Sequence, residues 1–162
     1  MVNISKEPVK TLIGYAVRAE IDSNKVYLKL SGRVKNPLLK EKFQLLAFEE
    51  KKHKEVLESL FAALYKGDEL QVPECVDERL LPAVEVKPSS SLVDVLHQAM
   101  QAEKAAQDFY ASLAARVKSA TRKILEYLSK VEKSHYLMLR SEYALAQQFD
   151  DYGEKDIDKV VT

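Results

Sequence analysis

One helical pattern places a carboxylate and an imidazole in the middle of an apolar face. Glu50 and His53 fall on a stripe at heptad spacing whose other members are apolar. Those apolar members are Leu39, Phe43, Leu46, Leu57, Leu60 and Leu64. A helix that packs this face against a core must bury the two polar residues together. Because an unpaired buried carboxylate is strongly destabilising, Glu50 and His53 need compensating partners from elsewhere in the chain.

Composition favours one helix-rich domain. Of the 162 residues, 46% are hydrophobic and 31% are charged, and Trp is absent. Lys+Arg and Asp+Glu balance at 25 each, so neither nucleic acid nor an anionic membrane is expected as a partner. With no apolar run of membrane-spanning length and no secretion-signal pattern, we expect a cytoplasmic protein. The single cysteine, Cys75, excludes an internal disulfide.

The periodicity predicts an all-α fold within one domain, 1–162. Asn36-Pro37 reads as the cap and first residue of a helix, and Ser91 reads as the cap of a later one. A short turn between the first two helices predicts an antiparallel hairpin, and a proline-containing connection can cross the length of a bundle. The expected segments are helices at about 9–34, 37–66, 91–118 and 120–148, a crossover at 67–90 and a tail at 149–162. We therefore expect an antiparallel four-helix bundle with a long crossover between helices two and three.

The two halves of the chain repeat one another. Residues 16–34 align with 99–117, and the second helix of each half aligns as well. The polar residues that recur are Glu20 and Glu103, Tyr27 and Tyr110, Glu50 and Glu132, and His53 and His135. A repeat that preserves buried charges at matching places indicates a shared site between the halves.

These repeated residues have the spacing of metal ligands. Side chains three residues apart on a helix converge, so Glu-x-x-His offers an oxygen and a nitrogen to one ion. Two single glutamates and two Glu-x-x-His pairs form a two-metal carboxylate site in four-helix bundles. The predicted ligands are Glu20, Glu50, His53, Glu103, Glu132 and His135. Two divalent ions would neutralise the four carboxylates, and this ligand chemistry suits iron or manganese, with zinc as an alternative occupant.

Four further polar residues follow the single glutamates at helical spacing. Tyr27 and Tyr110 lie seven residues after them, which predicts hydrogen bonds to ligand carboxylates, with ordinary packing as the alternative. Asn24 and Gln107 lie one turn after them and could also orient ligands.

Two other glutamates are expected to face solvent. Glu49 could reach His53 across one turn, but both periodicity and the repeat select Glu50 instead. Glu142 continues the stripe of the fourth helix near its end, where exposure is the simpler expectation.

The six ligands, in this order on four helical stripes, resemble the ferritin-like di-iron carboxylate proteins. The similarity is greatest to the rubrerythrin branch and spans roughly residues 9–148. It implies a ferritin-like bundle with two iron ions in an Fe–O–Fe type centre. The pattern departs from rubrerythrins in two places. Their rubredoxin domain has paired cysteine ligands, which this chain lacks, and Ala106 stands where they carry an extra glutamate.

The resemblance implies a non-haem di-iron oxidoreductase that reduces peroxide or dioxygen with electrons from an external donor such as rubredoxin. A ferroxidase that handles iron is the alternative, favoured by Ala106 and the symmetric ligand set. A substrate oxygenase of the same fold ranks lower, because the sequence shows no evident substrate pocket. A non-enzymatic helical interaction module would bind no stoichiometric metal and would keep its stability after Glu50→Ala.

The resemblance also bears on assembly. Ferritin-like chains of this length commonly pair, which predicts a homodimer. The long middle connection would allow the two chains to exchange helical hairpins.

Overall fold

Four long helices make up the fold. A computed structural model of the chain describes residues 3–4, 6–149 and 151–154. The helices are α1 (Val9–Arg33), α2 (Pro37–Leu64), α3 (Leu92–Ala114) and α4 (Ser119–Gln148), followed by a short 3₁₀ turn at Tyr152–Glu154. Across these described ranges there is no β-strand. The all-α, antiparallel four-helix bundle is therefore confirmed, although α3 ends before the predicted residue 118. Most of the predicted tail lies outside the described residues.

Two local caps determine where helices begin. Asn36 Oδ1 accepts a hydrogen bond from the amide of Leu39 at 3.1 Å, and Pro37 occupies the first turn of α2. Ser91 Oγ accepts from the amide of Asp94 at 3.1 Å at the start of α3. Each cap satisfies an amide that the helix itself leaves without a partner. These caps confirm the two helix starts predicted from the sequence.

The core consists of two apolar layers separated by a charged one. One layer contains Leu12, Ile13, Leu57, Phe61, Phe109, Leu113, Leu125 and Leu128. The other contains Leu30, Leu39, Phe43, Leu46, Leu96, Met100 and Leu139. Between these layers along the helices lie six buried polar residues: Glu20, Glu50, His53, Glu103, Glu132 and His135. None of the described helices is both long and apolar enough to cross a membrane.

The crossover between α2 and α3 is attached to α1. Leu81 and Val86 of this connection are buried against the bundle. Lys29 donates a hydrogen bond to the carbonyl of Val86 at 2.7 Å, and Arg33 donates to the carbonyl of Lys87 at 3.0 Å. The connection therefore follows the bundle instead of turning back at once, as the sequence predicted.

Gly14 allows this crossover to approach α1 closely. A Cβ at position 14 would collide with the backbone carbonyl of Gln71, which cannot move aside as a side-chain tip can. We expect Gly14→Ala to lower the free energy of unfolding by about 1–3 kcal/mol, because overpacking outweighs the better helix propensity of alanine. Urea unfolding measures this change.

Gly32→Ala is the matched control on the same helix. Nothing lies within 4 Å of a Cβ built at Gly32. That variant should be neutral or slightly stabilised. Equal stability of the two variants would show that the crossover does not press against α1.

Candidate metal centre

The six predicted ligand residues meet between the two apolar layers, and all are buried. They are Glu20 from α1, Glu50 and His53 from α2, Glu103 from α3, and Glu132 and His135 from α4. They form two groups in which the ligand atoms all lie within 4.8 Å of one another. The groups are Glu20, Glu50, His53 and Glu132, and Glu50, Glu103, Glu132 and His135. Glu50 and Glu132 belong to both groups, so each could bridge two metal ions.

His53 directs one ring nitrogen into the first group. Its Nδ1 lies 2.9 Å from Glu132 Oε1, 3.1 Å from Glu50 Oε2 and 3.7 Å from Glu20 Oε2. The three carboxylates come from three different helices, so the helices converge on this nitrogen.

His135 repeats the arrangement in the second group. Its Nδ1 lies 3.1 Å from Glu132 Oε2, 3.3 Å from Glu50 Oε1 and 3.6 Å from Glu103 Oε2. The rings of His53 and His135 are nearly parallel, with centroids 5.5 Å apart. The sequence repeat is therefore an approximate two-fold relation in space.

Tyr27 and Tyr110 each donate a hydrogen bond to a glutamate that belongs to only one of the two groups, here called a terminal glutamate. In both cases this glutamate, Glu103 or Glu20, lies in the other half of the chain. Tyr27 OH donates to Glu103 Oε1, and Tyr110 OH donates to Glu20 Oε1. Each bond holds one carboxylate oxygen and leaves the other free to face the cluster. The predicted contacts to ligand carboxylates are present, whereas their crossing from one half to the other was not evident in the sequence.

Asn24 and Gln107 do not orient the ligands directly. The Asn24 amide donates to the carbonyl of Ala47 at 2.6 Å. In the other half, Ser129 Oγ donates to the backbone carbonyl of Gln107 at 2.9 Å. Within the described chain, neither amide side chain forms a hydrogen bond with one of the six cluster residues. Asn24 and the Gln107 carbonyl instead tie together the helices of their own hairpins.

The two glutamates expected to face solvent have defined partners. Glu49 Oε2 lies 2.7 Å from His135 Nε2, the ring nitrogen that points away from the cluster, although the Glu49 side chain is still 37% exposed. Glu142 is buried and contacts Lys42 and Tyr152. The expectation was wrong for Glu142, whereas Glu49 is partly exposed and also contacts His135. Neither His135 nor Lys42 could be identified as a partner from local spacing, because both are distant in the sequence.

Burial and mutual repulsion raise the pKa of most of the carboxyls. Burial, reinforced by the charge of Glu50, raises the pKa of Glu20 to about 8. Burial, reinforced by the charge of Glu20, raises the pKa of Glu132 to about 7. The pKa of Glu50 is raised as well, by burial and by Glu132. Although burial acts to raise it, His135 holds the pKa of Glu103 below its ordinary value.

The pKa of the His53 imidazole is raised as well, although burial acts on it in the opposite direction. Burial alone would lower its pKa, but the close carboxylates of Glu132, Glu20 and Glu50 raise it to about 12. In the metal-free protein, protons therefore compensate part of the negative charge. Metal binding must displace them, since ligands bind in their deprotonated form.

Three buried polar atoms test whether metal ions fit. Glu50 Oε2, His53 Nδ1 and Glu132 Oε1 are buried, and although Nδ1 lies 3.1 Å and 2.9 Å from the two oxygens, none of the three atoms has the alignment of a hydrogen bond. Buried polar atoms are rarely left in this state, because each loses its hydration without compensation. All three are ligand atom types within the cluster, and two metal ions would satisfy them. The residues present therefore fit a two-metal centre.

Four glutamates and two histidines on four helices, with two glutamates common to both groups, define a ferritin-like di-metal carboxylate protein. The family model for rubrerythrin matches residues 11–143, which is most of the chain. The chain therefore belongs to the rubrerythrin family, a di-iron family whose members are generally oxidoreductases.

Two solved structures are similar in fold. A hypothetical protein from Pyrococcus furiosus is 32% identical, with a TM-score of 0.81 over 90% of this chain and 94% of that one. A Thermotoga maritima protein described as a ferritin-like diiron-carboxylate protein is 21% identical, with a TM-score of 0.69 over 85% of this chain and 95% of that one. No curated protein matches the chain.

Proposed function

We propose that this protein is a di-iron peroxide reductase that takes electrons from an external donor such as a rubredoxin. The observation that carries the proposal is the double group of buried ligand atoms joined by Glu50 and Glu132. Bound as a pair, two ferrous ions supply the two electrons that cleave one O–O bond. The overall reaction consumes hydrogen peroxide, two electrons and two protons and forms two water molecules. Because zinc has no redox chemistry, it would occupy the site without supporting this reaction.

The residues of the chain hold and order the pair. Glu50 and Glu132 would bridge the ions, while His53 and His135 would each bind one of them. The hydrogen bonds from Tyr27 and Tyr110 prevent the terminal glutamates from rotating away from the cluster. The apolar layers on both sides exclude water, which strengthens every charge interaction at the centre.

A small cavity beside the cluster supports a small oxidant. Its volume is about 20 Å³, and Glu20, Glu103, Glu132, Ala106 and the crossover residue Leu81 are among its lining residues. That space is enough for about one water-sized molecule. It suits peroxide or dioxygen better than an organic substrate, which argues against a substrate oxygenase.

Ferroxidase activity is the second candidate, because of Ala106. Rubrerythrins are expected to carry a glutamate at this place, and an alanine leaves four carboxylates arranged alike in both halves. A symmetric ligand set of this kind favours oxidation and transfer of iron as in ferritins.

Anaerobic reconstitution distinguishes the two candidates. After loading with ferrous iron, the protein should hold about two ions per chain. Peroxide should then oxidise reduced rubredoxin catalytically, at a rate well above that with dioxygen. Dioxygen-driven accumulation of ferric mineral without donor turnover would favour the ferroxidase. Fewer than about one iron per chain would contradict both candidates.

Two alanine variants on α3 connect the activity to the cavity. Ala106→Leu fills space beside the cluster, so turnover should fall about tenfold while the iron content stays the same. Ala111→Leu changes an exposed position on the same helix and should leave turnover unchanged. Equal rates for the two variants would show that the oxidant enters elsewhere.

The homodimer, with or without exchanged hairpins, is also proposed here on the family resemblance alone. A monomeric mass in solution would contradict it.

A further inference from the structure

His135 has a separate partner for each of its ring nitrogens. Its Nδ1 faces the cluster carboxylates, while its Nε2 lies 2.7 Å from Glu49 Oε2 on α2. An Nε2–H that donates to a carboxylate selects the tautomer whose Nδ1 lone pair is free for a metal ion. The same hydrogen bond also fixes the orientation of the ring.

His53 lacks the corresponding support, because the repeat is broken at one position. Glu49 precedes Glu50, and the residue that precedes Glu132 is Val131. A valine side chain cannot accept a hydrogen bond. In the described structure, every contact between His53 and a carboxylate runs through Nδ1.

The other contacts of the cluster occur in matching pairs, one in each half of the chain. Tyr27 and Tyr110 make matching hydrogen bonds, and the Nδ1 distances in the two groups agree within a few tenths of an ångström. Glu49 is therefore a specific departure from a site that is otherwise symmetric. Its negative charge also lies beside one group and not the other.

We propose that Glu49 is a positioning residue for His135 and makes the two metal positions unequal. The position formed by Glu50, Glu103, Glu132 and His135 fills first and binds more tightly. The position formed by Glu20, Glu50, His53 and Glu132 fills second. The inference rests on metal binding at the cluster, which is part of the proposed function, but not on peroxide reduction. Partners of metal-bound histidines typically change metal affinity by about 10- to 100-fold, which sets the expected separation between the two steps.

Cobalt(II) titration of the metal-free protein tests the proposal. Calorimetry and the visible absorption of bound Co²⁺ should resolve two steps whose dissociation constants differ by at least about tenfold. Glu49→Ala should weaken the tight step by about 10- to 100-fold and leave the weak step nearly unchanged. Glu49→Gln keeps an acceptor oxygen without the charge, so it should retain more of the tight step than the alanine variant.

Two further variants make the test specific. Val131→Glu supplies the missing acceptor and should tighten the weak step. Glu58→Ala removes a carboxylate of comparable exposure on α2 that pairs with Lys54, and it should change neither step. If Val131→Glu fails to fold, Glu20→Ala should preserve the tight step and Glu103→Ala should remove it.

Each outcome points to a different conclusion. Two equal steps in the unmodified protein, or equal weakening of both steps by Glu49→Ala, would overturn the inference and leave the proposed function intact. Two unequal steps in a protein without peroxide turnover would support the inference and reject the activity. Absence of cobalt binding would reject both.

Discussion

Glu50→Ala should reduce the iron content from about two ions per chain to fewer than about one. Glu50 supplies a ligand atom to both groups, and its carboxylate lies near both histidines. Its loss would therefore remove one potential ligand from each of the two groups and one of the two residues that they share. Metal analysis after anaerobic reconstitution measures the change, and any change in the optical spectrum that peroxide produces in the unmodified protein should be lost in the variant.

Glu20→Ala is the informative comparison, since Glu20 belongs to one group only. That variant should retain about one ion, because the group around His135 stays complete. If Glu50→Ala and Glu20→Ala lose the same amount of iron, Glu50 does not bridge. An unmodified protein without stoichiometric metal would support the interaction module, in which the polar core only sets helix register.

Removing the metal should lower the melting temperature by about 10 °C. A ligand present at about 1,000 times its dissociation constant stabilises a protein by about 4 kcal/mol, and each kcal/mol shifts the melting temperature of a chain of this size by about 2–4 °C. A thermal scan with and without a chelator measures this change.

Metal removal should also make the free energy of unfolding fall as pH rises. Urea unfolding at pH 6 and pH 8.5, with and without a chelator, measures this pH effect.

The sign of the pH effect follows from the raised pKa values. In the folded metal-free protein the pKa of Glu20 is about 8 and that of Glu132 about 7, against an ordinary glutamate pKa of 4.5, because both carboxyls are buried and are repelled by a neighbouring carboxylate. Their protonated forms contribute stability that is complete below pH 4.5 and is lost as pH rises through 7 and 8. His53, with a folded pKa of about 12, changes in the same direction above 6.5.

Each group contributes about 1.4 kcal/mol for every pH unit over which it is protonated only in the folded state, so from pH 6 to pH 8.5 the metal-free protein should lose on the order of 5 kcal/mol. The loaded protein should not show this loss, because its ligands are already deprotonated. The lowered pKa of Glu103 acts below this range, so it does not reverse the sign. Metal-free stability that increases from pH 6 to pH 8.5 would contradict the charge balance described for the cluster.

The sequence predicted the fold and the six cluster residues because burial of charge is so unfavourable. Glu50 and His53 in an apolar stripe required partners, and the repeat identified Glu132 and His135 at matching positions. Helical periodicity is a local property, so it was readable without any tertiary contact. The caps at Asn36 and Ser91 are local in the same sense.

Glu49 and Glu142 show where that reasoning ends. Both carry charges at positions where exposure is the usual outcome, and their partners are far away in the sequence. His135 is 86 residues from Glu49, and Lys42 is 100 residues from Glu142. Such contacts depend on how the two helical hairpins pack against each other. The spacing of residues along a single helix does not predict that packing.

The sequence by itself determined a four-helix bundle with a duplicated set of carboxylates and imidazoles, because periodicity and repetition are written along the chain. Only the tertiary structure decided that Tyr27 and Tyr110 hydrogen-bond to the opposite half and that Glu49 supports His135 alone. The physical reason is that side chains from different hairpins become neighbours only when the hairpins pack. That packing gives an otherwise symmetric cluster a contact between Glu49 and His135 that has no counterpart at His53 among the described residues.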